Sequence, residues 1–130
     1  MLRARDIMTT TIQTVTMRMS IHDLAQLLTT QHISGVPVLS DDGAVIGVVT
    51  EADLLSKTGA TVGEIMTSGV TSVAEETPIQ EIGRILGRLK ITRVPVMRGE
   101  ALVGIVSRGD IVRAMAYTDQ AEKLIRIEGC

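Results

Sequence analysis

The chain has 130 residues, a formal net charge of −2 and 45% apolar residues, with one Cys, one Tyr and neither Phe nor Trp. That length suits one compact domain, or two small repeats sharing a core. Near-neutral charge excludes bulk DNA binding, which needs a basic face, and with Tyr117 the only ring there is no stacking platform for single-stranded nucleic acid.

In chain order, Met1-Leu2-Arg3-Ala4-Arg5-Asp6 lacks the apolar run of a signal peptide, and no later stretch reaches membrane-spanning length. A cytoplasmic protein without a membrane or nucleic-acid partner is expected. Ile12 to Thr16 is a short β-branched run and predicts a strand. Ile21, Leu24, Ala25, Leu27 and Leu28 recur at helical spacing. Val36 to Leu39 and Ala44 to Thr50, joined by Asp41-Asp42-Gly43, read as a hairpin, with Pro37 at a strand start. A helix should open after Thr50.

The chain then says nearly everything again. Asp6-Ile7-Met8-Thr9 returns as Glu64-Ile65-Met66-Thr67, and His32-Ile33-Ser34-Gly35-Val36-Pro37-Val38 as Lys90-Ile91-Thr92-Arg93-Val94-Pro95-Val96. Gly47-Val48-Val49-Thr50-Glu51-Ala52-Asp53 returns as Gly104-Ile105-Val106-Ser107-Arg108-Gly109-Asp110, with one residue lost in a turn between. Repeat one is placed at 5–57, a linker at 58–62, repeat two at 63–116 and a helical extension at 117–130, with a helix from Thr118 to Ile127.

In repeat two, Val70 to Ala74 predicts a strand, and Ile79, Ile82, Ile85, Leu86 and Leu89 a helix. Thr77 is its expected N-cap, Pro78 its first residue, and Gln80 completes a capping box. Gly83 and Gly87 weaken it, so close packing against a neighbour is expected there. Val94 to Met97 and Ala101 to Ser107 form the second hairpin through Arg98-Gly99-Glu100, with Pro95 at its start. The order is β-α-β-β-α, twice, a mixed α/β (α+β) fold.

No enzyme constellation is visible: no Ser/His/Asp set, no Walker loop and no Gly-x-Gly-x-x-Gly. His22 and His32 occur in one repeat only and read as surface residues, and no His/Cys cluster has metal-ligand spacing. Cys130 alone cannot close an internal disulfide. The informative pattern is Gly-apolar-apolar-Thr/Ser-x-x-Asp, present in both repeats. Its plain reading is structural: Thr50 and Ser107 cap helices, and Asp53 and Asp110 return a hydrogen bond three residues on. Its functional reading is that hydroxyl, carboxylate and free helix N–H groups converge at one sheet edge. A carboxylate accepts from two sugar hydroxyls, and helix-end N–H groups attract phosphate.

Taken together these residues resemble the CBS domain, and the tandem resembles a Bateman module over about residues 5 to 116. The resemblance implies two pseudo-twofold-related β-α-β-β-α units packed as one module, with clefts that take AMP, ADP, ATP or S-adenosylmethionine as regulatory ligands and no obligatory cofactor. It implies that Asp53 and Asp110 accept from ribose hydroxyls and that Thr50 and Ser107 contact ribose or α-phosphate. The backbones of Ile33-Ser34-Gly35-Val36-Pro37 and Ile91-Thr92-Arg93-Val94-Pro95 would line adenine slots, with Thr11-Ile12 and Gly69-Val70 facing the base. The base would lie between aliphatic side chains such as Ile12, Val36, Val70 and Val94. Arg93 and Arg108, where repeat one has Gly35 and Glu51, would serve phosphates and make the two sites unequal.

Ile111 to Ala116 is apolar on more than one face and Leu54-Leu55 is an adjacent apolar pair, so a second buried contact is expected there. CBS pairs associate as homodimers through such helices. Met8, Met17, Met19, Met66, Met97 and Met115 read mostly as core filler. The sequence-level conclusion is a non-catalytic adenosine-nucleotide sensor, a homodimer that signals to an unidentified effector protein. The alternatives are a structural dimerisation module, an S-adenosylmethionine binder and an enzyme of unknown type.

Overall fold

The computed structural model describes residues 1–117 and is mixed α+β, with two sheets. The expected helix from Thr118 to Ile127 lies outside the described residues. The elements in order are α1 (Ala4–Ile7), β1 (Val15–Thr16), α2 (Ile21–Gln31), β2 (Gly35–Leu39), β3 (Val45–Thr50), α3 (Glu51–Ser56), α4 (Val62–Ile65), β4 (Thr67–Ser68), β5 (Val73–Ala74), α5 (Ile79–Leu89), β6 (Arg93–Arg98) and β7 (Ala101–Ser107). A helix over residues 108–117, α6, follows.

The chain divides into two compact units, residues 13–71 and residues 1–12 with 72 onward. In the first, β1 pairs in parallel with β2, β2 pairs antiparallel with β3, and β4 lies antiparallel on the far edge of β3. In the second, β5, β6 and β7 repeat the pattern, and Thr9 bridges Ile105 where β4 bridges Val48 in the other unit. Both hairpins carry a bulge at the same place: the register slips between Val38 and Leu39, and between Val96 and Met97. Their turns need a left-handed residue, and Gly43 (φ 87°) and Gly99 (φ 60°) provide it.

The two cores match position for position. Val15, Leu24, Leu28, Val36, Val38 and Val49 fill one; Val73, Ile82, Leu86, Val94, Val96 and Val106 fill the other. The partner of Val62 in the first core is Ala4 in the second. The compact units are therefore offset from the sequence repeats. The segment at the junction of linker and repeat two (Val62, Ile65, Met66) completes the core of the first hairpin, and the segment around the start of repeat one (Ala4, Ile7, Met8) completes the core of the second. Backbone bonds hold each in place: Val62 N–H donates to Met19 O at 2.8 Å, and Ala4 N–H to Thr77 O at 2.8 Å.

Several local expectations are corrected. The predicted strands at 12–16 and 70–74 shrink to Val15–Thr16 and Val73–Ala74, because β2 and β6 each offer only two residues to a parallel neighbour. Pro37 and Pro95 lie third in their strands, not first. Their missing N–H is tolerated because β1 and β5 begin pairing one residue later, at Val38 and Val96. Helix α5 starts at Ile79 with Pro78 in the N-cap position; Thr77 does not cap it but accepts from Ala74 N–H at 3.1 Å. A Cβ at Gly83 or Gly87 would meet nothing within 4 Å, so neither glycine marks close packing among the described residues. Ala25 and Leu89 face outward, as do Met17 and Met115 among the methionines. Met8, Met19 and Met66 pack against the cores.

Candidate functional site

Strand β3 ends at Thr50 and α3 begins at the next residue, so one peptide step turns the chain from sheet to helix. Thr50 N–H donates to Asp53 Oδ2 at 2.9 Å, and Asp53 N–H donates to Thr50 Oγ1 at 3.3 Å, a reciprocal capping box. Ser107 and Asp110 repeat it, with Ser107 N–H to Asp110 Oδ2 at 2.9 Å and Asp110 N–H to Ser107 Oγ at 3.1 Å. Asp53 and Asp110 are 7% and 8% exposed and are the two buried charged residues among those described. The structural role of the motif is thus real, but it engages only Oδ2 of each carboxylate.

The second oxygen is held by a cation three or four residues further on. Lys57 Nζ lies 2.9 Å from Asp53 Oδ1, and Arg113 Nη2 pairs with Asp110 Oδ1. Thr67 Oγ1 also donates to Asp53 Oδ1 at 3.3 Å. Main-chain amides therefore satisfy one oxygen of each acid, and side chains satisfy the other.

The hairpins bring Ser34-Gly35 and Thr92-Arg93 beside the two capping boxes. Gly35 pairs with Thr50, and Glu51 N–H donates to Ser34 O at 2.9 Å. Arg93 pairs with Ser107, and Arg108 N–H donates to Thr92 O at 3.0 Å. Gly69 and Val70 fall in the unit of Asp53, and Thr11 and Ile12 in the unit of Asp110. One feature of the expected slots is corrected: Val36, Pro37 and Val94 are fully buried core residues, so the side chains of Val36 and Val94 do not line an open slot. Ile12, Ile33, Val70 and Ile91 are partly exposed, as is Arg93, while Thr11, Gly69, Thr92 and Arg108 are exposed.

Lys57, Thr67 and Arg113 were missed by sequence reasoning, as was a shallow cavity of about 290 Å³ lined by Ile7, Asp110, Arg113, Ala114 and Tyr117. Tyr117, seven residues after Asp110, shares its helix face. That spacing was the available signal. No group of three or more His, Cys, Asp or Glu side chains able to hold a metal occurs among the described residues, and no described helix is long and apolar enough to cross a membrane.

The CBS domain family model matches residues 4–58 and 62–117. The chain belongs to the CBS domain family. A crystal structure of the CBS protein CBSX2 in complex with AMP superposes with a TM-score of 0.86 at 29% identity, covering 92% of this chain and 99% of that one. The CBS domain pair of protein MJ0100, in complex with 5′-methylthioadenosine and S-adenosyl-L-methionine, gives a TM-score of 0.84 at 27% identity, covering 90% and 98%. Hypoxic response protein 1 of Mycobacterium tuberculosis is 31% identical over 121 residues, covering 87% of this chain and 85% of that protein. The chain spans 55% of the full length of the chloroplastic CBSX2 of Arabidopsis thaliana.

Proposed function

We propose that this CBS pair is a regulatory module that binds an adenosine ligand of the AMP, ADP or ATP type and performs no catalysis of its own. The observation that carries this reading is the paired, buried carboxylates of Asp53 and Asp110, each fixed at a strand end by its capping box. A carboxylate so oriented needs little further ordering, and its Oδ1 accepts two vicinal hydroxyls once the side chain now paired with it gives way. The AMP complex of CBSX2 supports the adenosine class, and the MJ0100 complex keeps S-adenosylmethionine as the alternative ligand. Thr50 and Ser107 serve the ribose or α-phosphate, and Arg93 and Arg108 the phosphates.

Thermal unfolding with AMP, ATP and S-adenosylmethionine tests this. A ligand at 100 times its Kd adds about 2.7 kcal/mol, and the ranking of the three identifies the preferred class. No stabilisation by any of them would leave a structural dimerisation module with empty clefts. Homodimerisation is a second reading, favoured by Leu55 at 89% and Val112 at 62% exposure. Sedimentation of the wild type against Val112→Asp tests it: a monomeric wild type contradicts it.

A further inference from the structure

Each acid of the two motifs is covered by a cation that follows it in sequence, yet the two cations do not occupy equivalent positions. Lys57 follows Asp53 by four residues and Arg113 follows Asp110 by three. In the repeat alignment Ala114 stands where Lys57 does, and Ser56 where Arg113 does. The two covers also differ in exposure and in how they are anchored. Arg113 is 65% exposed and pairs with Asp110 Oδ1. Lys57 is 41% exposed and is tied three ways: to Asp53 Oδ1 at 2.9 Å, to Ile65 O at 3.1 Å and to Thr67 Oγ1 at 3.3 Å. Thr67 Oγ1 in turn reaches Asp53 Oδ1, which closes a three-residue ring.

We propose that Lys57 is a displaceable placeholder on Asp53, which makes the Asp53 site harder to fill than the Asp110 site. The proposal rests on the reading of both acids as ribose acceptors. A sugar diol supplies two hydroxyl donors, as many as Lys57 and Thr67 now direct at Oδ1. To bind, it must exchange with an ammonium that is itself fixed by a backbone carbonyl and a hydroxyl. At Asp110 the diol displaces a largely exposed guanidinium. Lys57 is therefore a specificity-determining residue that separates the two affinities. Its release also loosens the hold of α3 on Ile65 and Thr67, the segment that completes the first core.

The test is calorimetry of the intact chain with adenosine and with AMP, comparing Asp110→Asn with Asp110→Asn carrying Lys57→Met, so that only the Asp53 site is read. Removal of Lys57 is expected to tighten adenosine binding about two- to fivefold, the range of a partly exposed ion pair. Unchanged or weaker adenosine binding overturns the proposal, and so does a loss confined to AMP, which would make Lys57 a phosphate contact. If Lys57→Met fails to fold, Thr67→Val carries the test: it removes one of the two donors on the same oxygen and one anchor of Lys57, so it is expected to tighten adenosine binding in the same direction, and no gain contradicts the proposal. Absence of adenosine binding in every form, wild type included, overturns the ribose reading itself and the placeholder with it.

Discussion

Thr50 and Asp53 hold each other twice, Thr50 N–H to Asp53 Oδ2 at 2.9 Å and Asp53 N–H to Thr50 Oγ1 at 3.3 Å. The two halves of this box have separable consequences. Thr50→Ala removes the hydroxyl acceptor and is expected to cost about 1 kcal/mol of stability, as N-cap losses do. Asp53→Asn keeps an oxygen acceptor for Thr50 N–H and removes the charge. Chemical denaturation of both variants checks this: Asp53→Asn should lose less stability than Asp53→Ala, which removes the acceptor entirely.

Gly47 lies where a Cβ would come within 2.8 Å of Thr67 O and 2.9 Å of Met66 Sδ. The obstacle includes backbone of β4, which is paired to β3 and cannot swing aside. Gly47→Ala is therefore expected to destabilise by about 1–3 kcal/mol, the usual cost of overpacking. Gly104 holds the equivalent place against Met8, whose Cγ and Cβ stand 2.7 and 2.9 Å from such a Cβ. Denaturant midpoints of the two alanine variants should both fall; a wild-type midpoint for Gly47→Ala would contradict the packing described.

The opposite sign is expected in α5. Gly83 and Gly87 sit in the helix interior, neither has positive φ, and an added Cβ meets nothing within 4 Å. Alanine there restricts the unfolded chain without a clash. Each substitution should stabilise by about 0.5–1 kcal/mol, read as a higher melting temperature.

Acid sensitivity has a specific surface source. The Arg98 guanidinium donates to both oxygens of Glu75, at 2.9 and 3.0 Å, and holds its carboxyl below the ordinary value of 4.5. Because the folded value lies below the unfolded one, this contribution is complete above about pH 4.5 and is lost as pH falls through the depressed value. Melting temperatures at pH 7 and pH 3 should converge for Glu75→Gln more than for wild type. No change from this pair is expected between pH 6 and 8.

The repeat, the hairpins and both capping boxes were legible because each is local: glycine turns, β-branched runs and a Thr/Ser-x-x-Asp spacing specify their own backbone. The equivalent core positions, Leu24 and Val38 in one unit and Ile82 and Val96 in the other, followed from the same periodicity. The offset of the compact units was not legible. Nothing in Ala4 or Val62 states which hairpin it will pack on, since that depends on where the segments around 10–12 and 58–61 lead the chain. Pro37 was misplaced because tolerance of its missing N–H depends on how far β1 reaches, a non-local matter. Lys57 and Arg113 were missed for a different reason. Comparing repeats column by column hides two cations that reach equivalent oxygens from different helix positions.

The measurement that bears most directly on the account is isothermal titration calorimetry of AMP against the wild-type chain and the variant carrying both Asp53→Asn and Asp110→Asn. Each acid, as a charged acceptor, contributes roughly 1.5–3 kcal/mol, so affinity at its site should fall about 10- to 100-fold while the variant remains folded. AMP binding of equal strength to wild type and double variant would show that these carboxylates serve their capping boxes alone.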